Sequence, residues 1–482
     1  MSSLKKNFLL QVSYQILNIC LPFVTSPYIS RVFGTEGLGI YSYTYSIASV
    51  FVLFINLGID NYGSRGVAIR KDNKYELNCF VSELCALRLF IGIIPIVIYL
   101  WYSIVFGDPK EIYLLQSLIL FGTVLNINWC FFGLEKFDIT VTRNFIFKFL
   151  TVICVFVFVK NSDDLWKYTL IMAAGTVISQ SVVWVFFPKY FHFVKTSVSG
   201  IVKHVKPLLV LFTAVLANSA YTYIDKIMIG WLGTKSQLGI CDNSYKIISF
   251  PMGIITALGV VMLPRMSYLY SNSDEDKASS LLDASFKYLM ILAIAMAFGI
   301  AAVADTFSVV FWGSDFWECG IVISITSVSC IFMTWNEILR SQYLIPKSLD
   351  KIYSSAIVIG AIVSISFDAV LVPILGAEGA ATAMSLSYFS ISLYQSIKIR
   401  KMLSLRKYIF ALIPYVAFGI FMYVCVKVTE KLMPAYTVIS LFAMVIVGTG
   451  IYILLSFVYL LTTKDKVALK IIERVARNNG KN

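Results

Sequence analysis

Histidine is almost missing from this chain: His192 and His204 are the only two among 482 residues, and both sit in one basic stretch. That scarcity argues against a histidine metal site or a buried histidine proton relay. Charge is scarce as well, with 14% Asp, Glu, Lys and Arg against 58% hydrophobic residues. A mean hydropathy of +0.79 excludes an ordinary soluble domain. The nine cysteines show no C-x-x-C and no clustering with histidine, so they read as small buried apolar residues. No G-x-x-x-x-G-K-[ST] phosphate loop, no G-x-S-x-G elbow and no metal-ligand spacing is found, so neither an enzyme nor a cofactor is expected. After Lys5 and Lys6 a long apolar run begins with no small-residue cleavage site, which reads as a retained first span.

What the chain does have is apolar stretches of about 20 residues, the length that crosses a bilayer. They recur at 7–30, 38–59, 80–105, 112–133, 139–159 and 165–187, then at 207–231, 238–263, 286–311, 321–345, 352–375 and 377–397. Two more follow at 408–428 and 436–461. The reading is all-α and polytopic, with about 14 spans. With the N-terminus cytoplasmic, 27 Lys and Arg fall in inner segments and seven in outer ones, a bias that favours both termini inside. The net charge of +13 is dispersed over short loops and the C-terminus. That pattern suits topology and anionic lipid, and no nucleic acid is expected. The tail 464–482 reads as a basic amphipathic helix on the inner surface.

An internal repeat is visible. Gly34-Thr35, then Leu38-Gly39-Ile40-Tyr41 and Tyr45, returns as Gly233-Thr234, then Leu238-Gly239-Ile240-Cys241 and Tyr245. The offset of about 200 residues holds six spans, so the copies share one orientation and form a parallel repeat, whose halves meet where transporters hold substrate. A third echo, Gly376-Ala377-Glu378-Gly379, is explained more easily by chance similarity among glycine-rich turns. The expected units are six-helix lobes at 1–200 and 201–400 in pseudo-two-fold relation, two added spans at 401–463, and the tail.

Six cations lie inside or at the margins of spans: Arg88, Arg143, Lys148, Lys226, Lys246 and Lys287. A cation at mid-membrane costs roughly 2.5–3.5 kcal/mol on insertion scales, so retained ones point to an anionic ligand. Acidic groups in or near spans are Asp60, Glu83, Asp225, Asp242, Glu337 and Asp368, open to ion coupling or to ion pairing. Asp225 with Lys226, and Glu337 with Arg340, are the pairs the spacing suggests. Lys148, Lys226 and Lys287 have snorkelling as their rival reading, whereas Arg88 and Lys246 are too deep for it. Prolines interrupt several spans, and Pro22 and Pro27, beside the repeat motif, suggest a hinge, with Pro251 as a further kink.

The run Ser30-Arg31-Val32-Phe33-Gly34-Thr35-Glu36-Gly37-Leu38-Gly39-Ile40-Tyr41 resembles the first-span signature of Wzx-type bacterial polysaccharide flippases. These belong to the multidrug/oligosaccharidyl-lipid/polysaccharide exporter superfamily. The second half is similar through Asp225-Lys226, Leu238-Gly239-Ile240, Tyr245 to Gly253 and Leu263-Pro264-Arg265-Met266-Ser267. The stretch from Lys246 to Pro264 also resembles flippases of the peptidoglycan lipid precursor. There a functional arginine stands at the place of Lys246 and another at that of Arg31. Two departures stand out: Cys241 replaces the usual aromatic, and Lys246 offers a point charge where arginine offers a bidentate fork.

The resemblance implies translocation of an undecaprenyl-pyrophosphate-linked oligosaccharide repeat unit, from the inner to the outer leaflet of a bacterial inner membrane, for capsular or surface polysaccharide. Alternating access around a cationic central cavity is the mechanism expected, with Arg31 and Lys246 assigned through the resemblance and Arg88, Lys226 and Arg143 through their place in the spans as the cations that meet the pyrophosphate. Membrane lipids, Na+ or H+ and polysaccharide assembly proteins are the other partners it suggests. The rival readings are a multidrug-type cation-coupled antiporter of the same superfamily, which calls for acidic cavity groups, and a membrane polymerase or acyltransferase, which calls for a large outer loop or an intramembrane histidine.

Overall fold

A computed structural model describes residues 3–465, with 3–20 and part of the ninth helix given by their backbone alone. The expected tail at 464–482 therefore lies, but for its first two residues, outside the described residues. Every regular element among the described residues is helical. The helices are α1 (Ser3–Asn56), α2 (Ile59–Arg70), α3 (Lys74–Phe106), α4 (Lys110–Val124), α5 (Asn128–Gly133) and α6 (Phe137–Phe158). Next come α7 (Leu165–Tyr190), α8 (Val198–Val202), α9 (Val205–Leu232), α10 (Lys235–Ser271) and α11 (Glu275–Trp312). The chain closes with α12 (Cys319–Ser327), α13 (Ser329–Leu339), α14 (Asp350–Leu375), α15 (Ala377–Ile399), α16 (Arg406–Leu432) and α17 (Val438–Thr462).

All fourteen expected spans fall on helices. Among the described residues, eleven helical segments are long and apolar enough to cross a membrane, and one of them, 21–70, holds the second expected span and the end of the first. The spans expected at 207–231 and 377–397 fall on α9 and α15. Local chemistry sets several boundaries. Asn73 caps α3, its side-chain oxygen accepting from the backbone N–H of Tyr75 and Glu76 at 3.2 and 3.3 Å. Gly58, in the left-handed region at φ 79, turns the chain from α1 into α2. α1 runs helically through Pro22 and Pro27 and leaves helical geometry at Gly34, φ 63 and ψ −171. A residue without Cβ adopts that conformation freely, whereas proline keeps a helical φ. Pro251 likewise lies within α10. Residues 340–344 form a π-helical turn after α13.

The chain divides into two compact units. The first comprises Met1–Asp242 with Asp368–Ala377, the second Asn243–Phe367 with Glu378–Asn482. The core of the first unit gathers Ile59, Leu84, Trp129, Phe131 and Phe191, all at most 1% exposed. In the second, Phe286 stacks on Tyr408 at 4.1 Å and packs with Met290 and Trp335. A separate cluster joins Tyr415, Met422, Met444 and Tyr452 from α16 and α17. Whole helix faces remain exposed and apolar, such as Phe90, Ile93, Ile94 and Val97 on α3 and Phe442, Ile446 and Ile453 on α17. In water that area would carry about 25 cal/mol per Å² of unfavourable hydration, which acyl chains remove.

Candidate functional site

The two copies of the sequence repeat meet in the first unit. Gly39 of α1 lies directly against the Lys235 carbonyl, and Gly239 of α10 against the Thr35 carbonyl. The hydroxyls of Thr35 and Ser236 are 2.6 Å apart. Each copy thus offers a glycine to the backbone of the other, in the reciprocal manner of a two-fold axis. The turn of the third echo packs at the same place. Gly376, at φ 58, sits against the side chain of Gln237, and the Cys241 thiol reaches the Ala377 carbonyl at 3.6 Å. Cys241, where an aromatic is usual, is fully buried there.

Arg88, on α3, is 2% exposed. Its Nη2 donates to Asn56 Oδ1 at 2.8 Å and to Asp60 Oδ1 at 2.9 Å, and its Nη1 donates to the Asn126 carbonyl. The deep arginine, for which the sequence suggested no partner, is ion-paired. Its carboxylate comes from the far side of the Gly58 turn, where hydropathy alone places only the end of a span. Glu83, five residues before Arg88, turns elsewhere. Its Oε1 accepts from Lys203 Nζ at 2.9 Å, and its Oε2 lies 2.9 Å from His204 Nε2. Tyr62 completes this network, its hydroxyl 2.8 Å from His204 Nδ1. His204 is 3% exposed, and burial lowers its pKa against the opposing pull of Glu83, with Lys203 and Arg70 adding repulsion.

The pair expected between Asp225 and Lys226 is not the one that forms. Adjacent residues on a helix point about 100° apart and do not face each other. Lys226 instead binds Asp242 of α10, and Asp225 hydrogen-bonds with Asp368 of α14. Two buried carboxylates in hydrogen-bond contact need a proton or a cation between them. Around Asp242 stand three tyrosines: Tyr41 stacks on Tyr45 at 6.0 Å and meets Tyr168 edge-on at 4.8 Å. The result is a half-aromatic, half-ionic cluster inside the first unit.

Arg143 is held by oxygens of amides and backbone. Nη1 donates to the Ser179 carbonyl at 2.7 Å and Gln180 Oε1 at 3.2 Å; Nη2 donates to Asn128 Oδ1 at 3.0 Å and Asn144 Oδ1 at 2.5 Å. Arg31 is exposed, and Lys246 is half-buried with its Nζ 3.1 Å from Asn243 Oδ1. Glu337 and Arg340 form a two-pronged ion pair at 2.6 and 2.9 Å beside the π-helical turn. Lys287, for which snorkelling was the rival, binds Asp465 at 2.5 Å, and Lys148 is half-buried on α6. Within the first unit Arg88 and Arg143 are joined through residues 126–128: the Asn126 carbonyl accepts from Arg88, Asn126 Oδ1 accepts from the Asn128 N–H at 2.9 Å, and Asn128 Oδ1 accepts from Arg143, while Lys226 binds Asp242. The neutral partners Asn56, Asn126, Asn128 and Gln180 escaped sequence reasoning; their signal was the presence of amides within apolar spans.

Comparison with known proteins supplies a family for this architecture. The family described as "Polysaccharide biosynthesis protein" matches residues 4–270. A Shigella dysenteriae protein named "Putative O-antigen transporter" is 24% identical over 380 residues, 78% of this chain and 95% of that protein. An Escherichia coli K12 protein of the same name is 18% identical over 270 residues, 55% of this chain and 65% of that one. Among solved structures, lipid II flippase MurJ in an inward closed conformation matches with a TM-score of 0.74 at 13% identity, covering 95% of this chain and 99% of that one. An inward-facing multidrug resistance MATE family transporter of the MOP superfamily matches with a TM-score of 0.63 at 12% identity, covering 83% and 99%. Helix order, repeat and family match agree: the chain belongs to the polysaccharide biosynthesis protein family.

Proposed function

We propose that this protein is a flippase that carries polyprenyl-pyrophosphate-linked oligosaccharide repeat units from the inner to the outer leaflet of a bacterial inner membrane, with both termini cytoplasmic. The observation that carries this reading is the likeness to an O-antigen transporter along 95% of that protein's length. Buried basic groups add physical support: a pyrophosphate crossing the membrane needs cations, while the polyprenyl tail stays in lipid. Capsular or other surface polysaccharide is the product the sequence motifs favour.

Alternating access of the two six-helix lobes at 1–200 and 201–400 is the motion we propose. Arg31, Arg88, Lys226, Lys246 and Arg143 are the cations proposed to meet the anion. Arg88 and Lys226 are already neutralised by Asp60 and Asp242, so pyrophosphate would engage them by exchange with those carboxylates. Arg143 would serve through its amide setting. The membrane potential, negative inside, favours outward movement of an anion by about 2.3 kcal/mol per charge per 100 mV. The Asp225–Asp368 contact supports coupling to H+ or Na+, which a proton or cation between the two carboxylates would provide.

The experiment is reconstitution of the purified protein in liposomes with a lipid-linked oligosaccharide of its host. Appearance of the sugar at the opposite leaflet at a protein-dependent rate supports the reading. Transport of cationic drugs in its place would favour the multidrug-type antiporter. Rates indifferent to an imposed potential would remove the driving term.

A further inference from the structure

The connection between α7 and α9 is a strap laid along the start of α3. The backbone N–H of His192 donates to Asn78 Oδ1 and that of Val194 to Ser82 Oγ, both at 3.0 Å. Asn78 and Ser82 stand one turn apart, so a single face of α3 takes both. At the far end of the strap Glu83 holds Lys203 and His204, each at 2.9 Å. Between these ties lies the short turn α8, and a close approach fixes which way it faces. Gly200 is buried against Glu83, whose Oε1 would stand 2.4 Å from a Cβ at that position. Val198 and Val202, two residues to either side of it, point the opposite way on a helical turn. They are 78% and 58% exposed.

Position and charge select what covers those valines. The strap joins the ends of the spans expected at 165–187 and 207–231, so it lies at a membrane surface. Phe193, 61% exposed, adds a third apolar group. From Lys189 to Lys206 the chain carries four lysines and no acidic residue, and Lys195 and Lys206, on either side of α8, are exposed. A soluble anion would match the lysines and leave the valines and Phe193 in water. The boundary between lipid head groups and acyl chains satisfies both, because apolar groups leave water there while long lysine stems reach anionic phosphate.

We propose that this strap is a binding site for an anionic glycerophospholipid. Val198, Val202 and Phe193 enter the boundary between head groups and acyl chains, and Lys195 and Lys206 meet the lipid phosphate. The ligand differs from the pyrophosphate-linked cargo: it stays in its leaflet and docks on the exposed side of the strap. The inference rests on the proposed function for its leaflet alone, since cytoplasmic termini put the strap at the inner surface.

Hydrogen–deuterium exchange of the full chain, read on peptides covering 195–206, tests this in nanodiscs of dioleoylphosphatidylcholine with and without dioleoylphosphatidylglycerol. The readout needs no transport, so a failure here and a failure of flipping in liposomes are distinguishable. Exchange should slow about five-fold or more when phosphatidylglycerol is present, the weight of one lysine beside an anionic surface. Lys195→Gln combined with Lys206→Gln should abolish the difference between the two lipids. Val198→Ser should speed exchange in both, because it weakens the apolar contact and leaves the lysines in place. All three side chains are exposed, so these variants should melt as the unaltered protein does. Equal exchange in the two lipids would overturn the proposal, as would a double variant that keeps the preference for phosphatidylglycerol. Equal slowing by inorganic phosphate or pyrophosphate in lipid-free detergent would assign the lysines to a free anion and overturn it too.

Discussion

Gly39 of α1 packs directly onto the carbonyl of Lys235, and its repeat mate Gly239 packs onto that of Thr35. A Cβ at either position would collide with backbone, which cannot give way as a flexible side chain can. Close backbone approach through small residues is how helices associate where lipid removes the hydrophobic driving force. Gly39→Val and Gly239→Val should each destabilise the purified protein by about 1–3 kcal/mol, the usual size of overpacking, and lower flipping. Gly450 on α17 has open space around it, so Gly450→Ala should leave the melting temperature unchanged or slightly raised. Thermal melting in detergent of the three variants gives the comparison, and equal melting of all three would show that the contact is loose.

Arg88 depends on three oxygen partners at once, from Asn56, Asp60 and Asn126. Lysine cannot reproduce that fork, so Arg88→Lys should lose flipping nearly as fully as Arg88→Ala. Asp60→Asn, whose side chain is 47% exposed, should be milder. A double-mutant cycle on Asp60 and Arg88 should give a coupling of about 1 kcal/mol or more. An Arg88→Ala protein with normal flipping would remove this residue from the cargo path.

The Asp225–Asp368 contact makes ion coupling testable. Asp225→Asn supplies an amide N–H in place of a shared proton or cation, so the fold should survive. Transport by this variant should lose its dependence on imposed pH or Na+ gradients while gradient-free exchange persists. A variant that still responds to both gradients would place coupling elsewhere.

His204 ties the segment before α9 to Tyr62 of α2 and Glu83 of α3. Its pKa lies below the ordinary value of 6.5 because it is buried, so the unfolded chain takes up the proton before the folded one. Folding stability from this site is therefore complete above about pH 6.5 and is lost as pH falls toward the lowered folded value. Melting temperature should drop on acidification through that window, and His204→Gln should flatten the drop. An identical pH profile for both proteins would refute the assignment.

How much of this was legible in the sequence differs by residue. The fourteen apolar stretches all became helices, because span length and hydropathy are local properties that the bilayer reads directly. The glycine repeat was visible in the letters, yet only the fold showed that the Gly376 turn joins it, since Gln237 and Gly376 are far apart in the chain. Proline removes a backbone donor, yet α1 stays helical through Pro22 and Pro27 and breaks at Gly34, whose positive φ no sequence rule singled out. The charged residues fall on helices as expected, and their partners were misjudged where the pairing is long-range.

By itself the sequence determined that the chain is a multi-pass helical membrane protein with ionisable groups on its apolar segments. Each conclusion follows from composition, length or periodicity, quantities that need no neighbours. Tertiary structure alone decided that Arg88 answers to Asp60, Lys226 to Asp242 and Asp225 to Asp368. Partner choice depends on which helix faces meet, and in a medium of low dielectric a buried charge settles with whichever group those faces bring within about 3 Å.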